Sequence, residues 1–291
     1  MTVIQYTEAK SILSKLQGSD PMFGLTYNMN LYRGCQHGCI YCDTRSECYG
    51  VGNIAQISVK KNALELLSGE LKSKRTKGTI GTGSMNDPYM PVEAKLNITR
   101  NALGIISNYR FPVHVITKSD LVIRDYDILQ DISKIYAAVS ITITTAGDAL
   151  AKKLEPNAPS SSDRFKAIEF LAEKGIYTGI TLMPLLPFIN DTKENVKTII
   201  QKAKDAGASY IIPMLGVTLR KGSRDYLYNR FDKDFPGMRD LYEKTFGEQY
   251  ICHNSNYYSL LNEFTYESNR LEIPSQMQFY KPQKEQQLTL F

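Results

Sequence analysis

The sequence has no run of about 18 uncharged apolar residues, the length at which a membrane-spanning helix is expected. Its start, from Met1 to Lys10, also lacks the basic stretch followed by an apolar stretch that marks a signal peptide. The net charge of +5 is small for 291 residues, so it permits nucleic-acid binding without arguing for it. We therefore expect a cytoplasmic protein with no membrane segment.

Cysteine is also scarce. Only five occur, four of them between Cys35 and Cys48, and there is no second separated pair. This distribution does not suit a disulfide framework in a chain of this length, and it favours metal or redox chemistry. The isolated Cys252 is predicted to be a small buried hydrophobic residue.

The remaining composition, 42% hydrophobic and 22% charged, is that of an ordinary globular protein. Short apolar runs rich in Ile, Val, Thr and Tyr alternate with helical patterns, which predicts a parallel sheet. The predicted strands are Phe23–Leu31, Thr79–Thr82, Val113–Thr117, Ile135–Ile143, Ile176–Met183 and Tyr210–Pro213. The predicted helices are centred on Val59–Leu71, Phe165–Ala172 and Val196–Ala203. Six strands are too few for a full eight-stranded barrel, so we expect a partly open barrel or an open sheet, with its site at the carboxyl ends of the strands.

Four regions follow from this pattern. Residues 1–22 are an N-terminal segment, and residues 23–216 form the α/β domain. Residues 217–281 break the alternation and are predicted to be a mostly helical extension. Residues 282–291 are predicted to be a mobile tail.

The spacing of Cys35, Cys39 and Cys42 is C-x3-C-x2-C, directly after the first predicted strand. Three thiolates on one loop can bind three irons of a four-iron cluster and leave the fourth iron open to a substrate. Two other interpretations of this cysteine loop remain. His37 or Cys48 could complete a structural zinc site, or Cys48 could close the cluster as a fourth ligand.

This cysteine loop, with Tyr41 before the third cysteine, resembles that of the radical S-adenosylmethionine (SAM) enzymes. The resemblance implies a partial (β/α)6 barrel of the TIM type, with a C-terminal extension. It also implies a [4Fe-4S] cluster held by the three cysteines, and SAM bound at the open iron. The reduced cluster would cleave SAM to a 5′-deoxyadenosyl radical that abstracts hydrogen from a substrate. A flavodoxin or ferredoxin would be the reductant.

Further motifs resemble the spore photoproduct lyase-like proteins, which are also called DNA repair photolyase-like. They are Gly81–Glu93, Val115–Ser119, Ile123–Asp125, Val139–Ile143 and Leu154–Pro159. The resemblance covers about residues 23–215 and implies lyase-like chemistry on a nucleic-acid base. The cofactor-binding residues that we expect at these motifs, besides Tyr41, are Ser84, Asn86, Asp87, Lys118, Ser140 and Glu155.

Each of these residues also has an ordinary structural interpretation. Lys118 either pairs with the methionyl carboxylate or is an exposed lysine, and Ser140 either reaches the cofactor or is a satisfied core serine. Glu155 either binds the cofactor or pairs with Arg164. Asn86 and Asp87 precede a proline and suit a turn. Gly81 and Gly83 would let the backbone approach a ligand.

The sequence departs from the founding enzyme of this family at two positions. That enzyme has a hydrogen-donating cysteine where this chain has Ser84, and a tyrosine where this chain has Asp43. A serine O–H bond is too strong for hydrogen transfer to a carbon radical. The resemblance therefore implies radical formation, but not the same hydrogen relay or thymine-dimer repair.

The last five residues resemble the pentapeptide that bacterial replication and repair proteins insert into the sliding clamp. Leu288, Leu290 and Phe291 would be buried in a preformed pocket, and Gln287 would hydrogen-bond. The alternative is a C-terminus that packs on its own barrel.

The leading functional hypothesis is thus a radical SAM enzyme that acts on nucleic acid. The second is a radical SAM enzyme acting on a peptide, a tRNA base or a small metabolite. The third is a non-catalytic zinc or iron–sulfur module that binds a partner.

Overall fold

A computed structural model of the chain describes residues 4–18 and 20–282. The strands are β1 (Gln5–Thr7), β2 (Leu13–Lys15), β3 (Tyr27–Met29), β4 (Tyr32–Arg33), β5 (Ser58–Lys60), β6 (Ile80–Thr82), β7 (Val113–Thr117), β8 (Ala137–Thr142), β9 (Tyr177–Leu185), β10 (Ile211–Leu215), β11 (Val217–Thr218) and β12 (Ile251–Cys252). The α-helices are α1 (Ala63–Ser73), α2 (Glu93–Leu96), α3 (Ile98–Asn108), α4 (Tyr126–Ser133), α5 (Asp148–Leu154), α6 (Ser161–Glu173), α7 (Lys193–Asp205), α8 (Ser223–Asp234), α9 (Met238–Phe246) and α10 (Tyr257–Arg270). Short 3-10 helices cover Asp43–Arg45, Glu47–Tyr49 and Asp120–Asp125.

The main sheet has the strand order β10-β9-β8-β7-β6-β3-β2. The neighbouring strands from β3 to β10 are parallel, and β2 pairs antiparallel with β3 at one edge. Helices α1, α3, α4, α6, α7 and α10 follow these parallel strands in turn. The predicted partial (β/α)6 barrel is therefore confirmed. It is open because β10 and β2 are the two edges of the sheet.

Strand β8 illustrates how the sequence builds this layer. All its residues are buried, so both faces of the strand are covered. Ala137, Val139 and Ile141 pack in the core between the sheet and the helices. Because side chains alternate along a strand, Ser140 and Thr142 lie on the opposite face, inside the barrel. Polar residues in this strand thus mark the interior of the barrel.

The helix boundaries follow local capping chemistry. Ser160 caps α6 by accepting a hydrogen bond from the Asp163 N–H, and Thr192 caps α7 by accepting one from the Asn195 N–H. Gly175 and Gly207 follow α6 and α7 with φ values of 73° and 74°. This left-handed conformation favours glycine and ends each helix.

The predictions were wrong about one helix boundary. Val59 was assigned to a helix, but it lies in β5, which pairs antiparallel with β4 and parallel with β1. Its place is decided by pairing with distant strands, which the local pattern does not reveal. Helix α1 begins only at Ala63, after Asn62, whose side chain hydrogen-bonds with the backbone of Ala9 at 2.9 Å.

The residues after 217 are mostly helical, as predicted, with α8, α9 and α10 joined by the small β11–β12 sheet. Helix α10 packs on α7 beside the edge strand β10. A second hydrophobic core joins this extension to the cysteine loop through buried side chains that include Ile40, Leu227, Phe231 and Tyr242. The division of the chain into four regions remains a prediction, and residues 13–15 of the N-terminal segment pair with the main sheet.

Among residues 4–18 and 20–282, none of the helices combines the length and apolar character that crossing a bilayer requires. The clamp-like residues Gln287, Leu288, Leu290 and Phe291 lie outside the described residues.

Candidate active site

A cavity of about 350 Å³ opens at the carboxyl ends of the parallel strands. Its volume lies at the small end of the range for ligand pockets, roughly 300–1,000 Å³. Eight of the predicted site residues line it, namely Cys35, Cys39, Tyr41, Cys42, Ser84, Asn86, Asp87 and Lys118. The fold therefore brings together side chains from three separate strand-end segments.

The cysteine loop is held at both of its sides. The Cys35 N–H donates to the Ile54 carbonyl at 2.8 Å, and the Ile40 N–H donates to the Leu154 carbonyl at 2.9 Å. Gly34, with φ 84°, allows the tight approach, because a Cβ there would lie 2.6 Å from the Gln56 carbonyl oxygen. The loop is thus fixed by the backbone before any ligand binds.

The three thiols of this loop are free and face one cavity, as ligands of a shared cluster must. Burial, with a further contribution from Asp87, raises the pKa of Cys35 to about 12, and burial also raises the pKa of Cys39. Thiolates are the ligand form, so bound iron would supply the positive charge that keeps these sulfurs deprotonated. The donor set fits a four-iron cluster with one open corner.

Each of the two other proposed ligands has another partner. Cys48 is exposed, and its Sγ lies 3.3 Å from a guanidinium nitrogen of Arg220. His37 lines the cavity, but its Nε2 lies 3.1 Å from Asp87 Oδ2. Within the described part of the chain, no three His, Cys, Asp or Glu side chains are grouped around one point. A four-iron cluster needs no such grouping, because each thiolate binds a different iron.

Asp87 organises the middle of the site. Its carboxylate accepts hydrogen bonds from the Thr117 hydroxyl at 2.6 Å and from the Lys118 N–H at 2.7 Å. Burial would raise the pKa of Asp87, but the nearby His37 and the hydrogen bonds from Thr117 and Lys118 outweigh it and lower the pKa to about 2. Asp87 is therefore ionised at neutral pH and ties the β6 loop to the end of β7.

Lys118 places a positive charge in the cavity. Burial alone would lower its pKa, but nearby Cys39, Glu155 and Asp87 outweigh burial and raise it. Its Nζ lies 5.7 Å from the centre of the Tyr41 ring. Within residues 4–18 and 20–282 the ammonium makes no hydrogen bond or ion pair, so it can bind an anionic group of a ligand.

Glu155 does not line the cavity, and it supports Tyr41 from behind. Its Oε1 accepts a hydrogen bond from the Tyr41 hydroxyl, and its Oε2 lies 2.5 Å from Arg164 NH1. Both side chains of this ion pair are fully buried. Burial would raise the pKa of Glu155, but Arg164, Lys118 and the Tyr41 hydrogen bond outweigh it and lower the pKa. The predicted pair with Arg164 is thus present, and the cofactor-binding role of Glu155 stays a prediction.

Ser140 was predicted to bind the cofactor, but it is fully buried and does not line the cavity. Its Oγ lies 2.7 Å from His114 Nε2 and 2.8 Å from the Tyr210 hydroxyl. This polar chain fills the barrel interior. Burial lowers the pKa of His114 to about 3, which keeps the imidazole neutral. In this structure Ser140 is a satisfied core serine, and its cofactor-binding role stays a prediction.

Two further residues occupy the β6 loop. Ser84 donates to Asn28 Oδ1 at 2.8 Å at the exposed side of the cavity, and buried Asn86 donates to the Tyr32 carbonyl at 2.7 Å. Gly83 was expected to let the backbone approach a ligand. Gly83 lines the cavity, and with φ 89° its missing Cβ also makes room for the Ile116 carbonyl of β7, which would lie at 2.2 Å.

Several residues that line the cavity were not predicted from the sequence. Thr142 and Thr181 line the cavity with their hydroxyls 2.7 Å apart, and Tyr49 and Met214 also face it. Thr142 lies two residues after Ser140, so strand periodicity alone could have identified it. Tyr49 lies in a short 3-10 helix and gave no comparable signal.

Comparisons with known proteins agree with this geometry. A model of the radical SAM superfamily matches residues 29–203. An uncharacterized protein of Methanocaldococcus jannaschii is 33% identical over 215 residues, which are 73% of this chain and 79% of that protein. A radical SAM Nalpha-GlyT isomerase of Pseudomonas phage M6 is 26% identical over 61% of this chain and 36% of that enzyme.

The fold is also similar to a solved structure of spore photoproduct lyase complexed with dinucleoside spore photoproduct. The TM-score is 0.71 at 16% identity, over 94% of this chain and 80% of the lyase. At 16% sequence identity, this similarity shows the fold alone.

Proposed function

This chain belongs to the radical SAM superfamily, and we propose that it abstracts a hydrogen atom from a damaged or modified nucleic-acid base. The superfamily implies a [4Fe-4S] cluster and SAM, as well as a one-electron reductant. The observation that carries the enzymatic part is the single cavity lined by the three cysteines and Lys118.

Different residues of the cavity would hold the [4Fe-4S] cluster and SAM. Cys35, Cys39 and Cys42 would ligate three irons, and the Lys118 ammonium would bind a carboxylate of the cofactor. When bound, the cluster and SAM supply a 5′-deoxyadenosyl radical. The buried pair of Glu155 and Arg164 fixes the Tyr41 ring, because the Tyr41 hydroxyl donates to Glu155.

The choice of a nucleic-acid base rests on resemblance. The lyase of similar fold was solved with a dinucleoside spore photoproduct, and the motifs after β6 to β8 resemble those of its family. Ser84 argues against the same final step, because its O–H bond is too strong to quench a carbon radical. We therefore propose radical initiation like that of the lyase, with a different route for returning hydrogen.

The test of the enzymatic part uses anaerobically reconstituted protein. We expect about four irons per chain, a brown colour and, after dithionite reduction, 5′-deoxyadenosine from SAM. Cys39→Ala should lose the colour and the product, because one iron loses its ligand. Cys48→Ala is the matched control and should keep both, since Cys48 is exposed outside the cavity. A colourless protein with one bound zinc per chain would overturn the proposal.

The substrate class is tested by isotope transfer. Deuterium from oligonucleotides labelled at the base or sugar should appear in 5′-deoxyadenosine. Transfer from labelled peptides or small metabolites, with none from oligonucleotides, would support the second functional hypothesis instead.

A further inference from the structure

A group of tyrosines and arginines lies beside the mouth of the cavity. Binding of the cluster and of SAM, as proposed, does not use this group. It forms where the residues after the cysteine loop pack on the C-terminal extension. We call it the rim, and it consists of Arg45, Tyr49, Arg220, Tyr226 and Tyr250. Tyr49 lines the cavity itself, so the rim is continuous with the candidate active site.

Arg220 holds two tyrosines of the rim. Its NH1 donates to the Tyr49 hydroxyl at 3.0 Å, and its NH2 donates to the Tyr250 hydroxyl at 2.6 Å. Its Cζ lies 4.7 Å from the centre of the Tyr250 ring and 5.4 Å from that of the Tyr49 ring. Asp43 accepts a second hydrogen bond from the Tyr49 hydroxyl at 3.0 Å. The two rings are thus fixed before a ligand arrives.

Arg45 is the unpaired cation of the rim. Its Cζ lies 3.6 Å from the centre of the Tyr226 ring. Its Nε is buried without a hydrogen-bond partner, and across residues 4–18 and 20–282 the guanidinium makes no ion pair. Other cations nearby are neutralised, Lys221 by Glu47 at 3.2 Å and Arg224 by Glu248 at 3.7 Å. A guanidinium with free donors is suited to bind a phosphate.

The rim also presents apolar surface to solvent. The Tyr250 side chain is 44% exposed although Arg220 contacts its ring, and the adjacent Ile251 is 45% exposed. A fixed, exposed tyrosine ring next to an arginine is the arrangement on which unpaired bases stack. Arg45, in the 3-10 helix that packs on α8, supplies the phosphate contact that a stacked base also needs.

We infer that the rim binds single-stranded nucleic acid, with a base stacked on Tyr250 and a phosphate bound by Arg45. This inference rests on the proposed function, because it names how the substrate strand is held at the cavity mouth. A peptide would use the exposed apolar side chains but would leave the Arg45 donors without a phosphate, so nucleic acid fits the rim better.

The experiment measures the fluorescence anisotropy of labelled single-stranded DNA and RNA of about 12 nucleotides, a length within the range covered by one single-strand binding site. Because binding precedes chemistry, the reconstituted protein is used without SAM or reductant. Tyr250→Ala should weaken binding roughly tenfold, by loss of one stacked base. Arg45→Gln should weaken binding and reduce the salt slope by about 0.7, the value for one lost phosphate contact on a single strand.

Matched variants separate these effects from general destabilisation. Tyr250→Phe keeps the ring and should bind nearly as the wild type does. Arg239 also lies over a tyrosine, Tyr228, but it is paired with Asp232 and Glu243 at 2.9 Å, so Arg239→Gln should leave binding unchanged. Tyr258→Ala removes another exposed ring, 79% exposed, and should also have no effect.

Two results would overturn the inference. One is wild-type protein that binds neither strand, and the other is rim variants that bind like the two controls. SAM cleavage by the wild type, measured without nucleic acid, tests the proposed enzyme separately. If cleavage is present while strand binding is absent, the rim inference alone fails.

Discussion

The charged residues in and behind the cavity differ in whether they have a partner of opposite charge. Glu155 is neutralised by Arg164, and Asp87 is held by hydrogen bonds and by His37, so both carboxylates have partners. The Lys118 ammonium has none among the described residues. A partly buried charge without a direct partner is costly, so this lysine is stabilised when an anionic ligand binds.

The buried residue His114 predicts how the free energy of unfolding depends on pH. An unfolded histidine has a pKa of about 6.5, whereas burial lowers the pKa of His114 to about 3 in the fold. Between these values the unfolded chain binds more protons, so the free energy of unfolding falls as pH drops from 6.5 toward 3. The loss approaches roughly 1.4 kcal/mol per pH unit.

Urea unfolding of wild type and His114→Gln between pH 7 and pH 4 measures this effect. The variant should show a flatter decline in the free energy of unfolding, whatever its stability at pH 7. His253→Gln is the control, because it removes an exposed histidine where His114→Gln removes a buried one. Parallel curves for all three proteins would show that His114 does not carry the pH dependence.

At the level of elements, local signals in the sequence explain several strands and helices. Apolar residues alternate with small or polar residues along β8, which is buried on both faces, and side-chain caps start α6 and α7. The local signals predicted these elements correctly. They failed at Val59, because strand β5 is formed by pairing with β1 and β4, which come from distant parts of the chain.

The cap of α7 can be tested by mutation. Thr192→Ala removes the oxygen that accepts the Asn195 N–H at 3.1 Å, and the free energy of unfolding should fall by about 1 kcal/mol. Thr192→Asn keeps a good capping group and should be close to neutral. Chemical denaturation compares the three proteins. Equal losses in both variants would mean that Thr192 acts through packing and not as a cap.

At the scale of the whole molecule, the cysteine loop packs against the C-terminal extension. Ile40, between two cysteines, packs in the second core together with residues of α8 and α9. The extension therefore supports the loop from outside the sheet and at the same time builds the rim.

The sequence of the tail predicts a binding partner for the whole chain. The segment Gln287–Phe291 resembles a sliding-clamp motif, so the full-length chain should bind a bacterial sliding clamp in surface plasmon resonance. A chain lacking residues 287–291 should lose this binding while still cleaving SAM, because the cavity lies within residues 23–218. Equal clamp binding by both chains would contradict the prediction.

The sequence by itself determined the strand–helix alternation, the three thiols on one loop and most of the polar residues at strand ends. These features depend on local periodicity and on the chemistry of named side chains, both of which can be read along the chain. Eight of the predicted site residues accordingly face one cavity.

Only the tertiary structure decided which polar residues face that cavity and which are satisfied elsewhere. Ser140 is used by His114 and Tyr210, and Glu155 is used by Tyr41 and Arg164. The rim likewise joins Arg45 and Tyr49 to residues more than 170 positions away, for example through the Arg220–Tyr49 hydrogen bond. Hydrogen bonds and stacking act over a few ångströms, so they depend on folded proximity that sequence spacing does not contain.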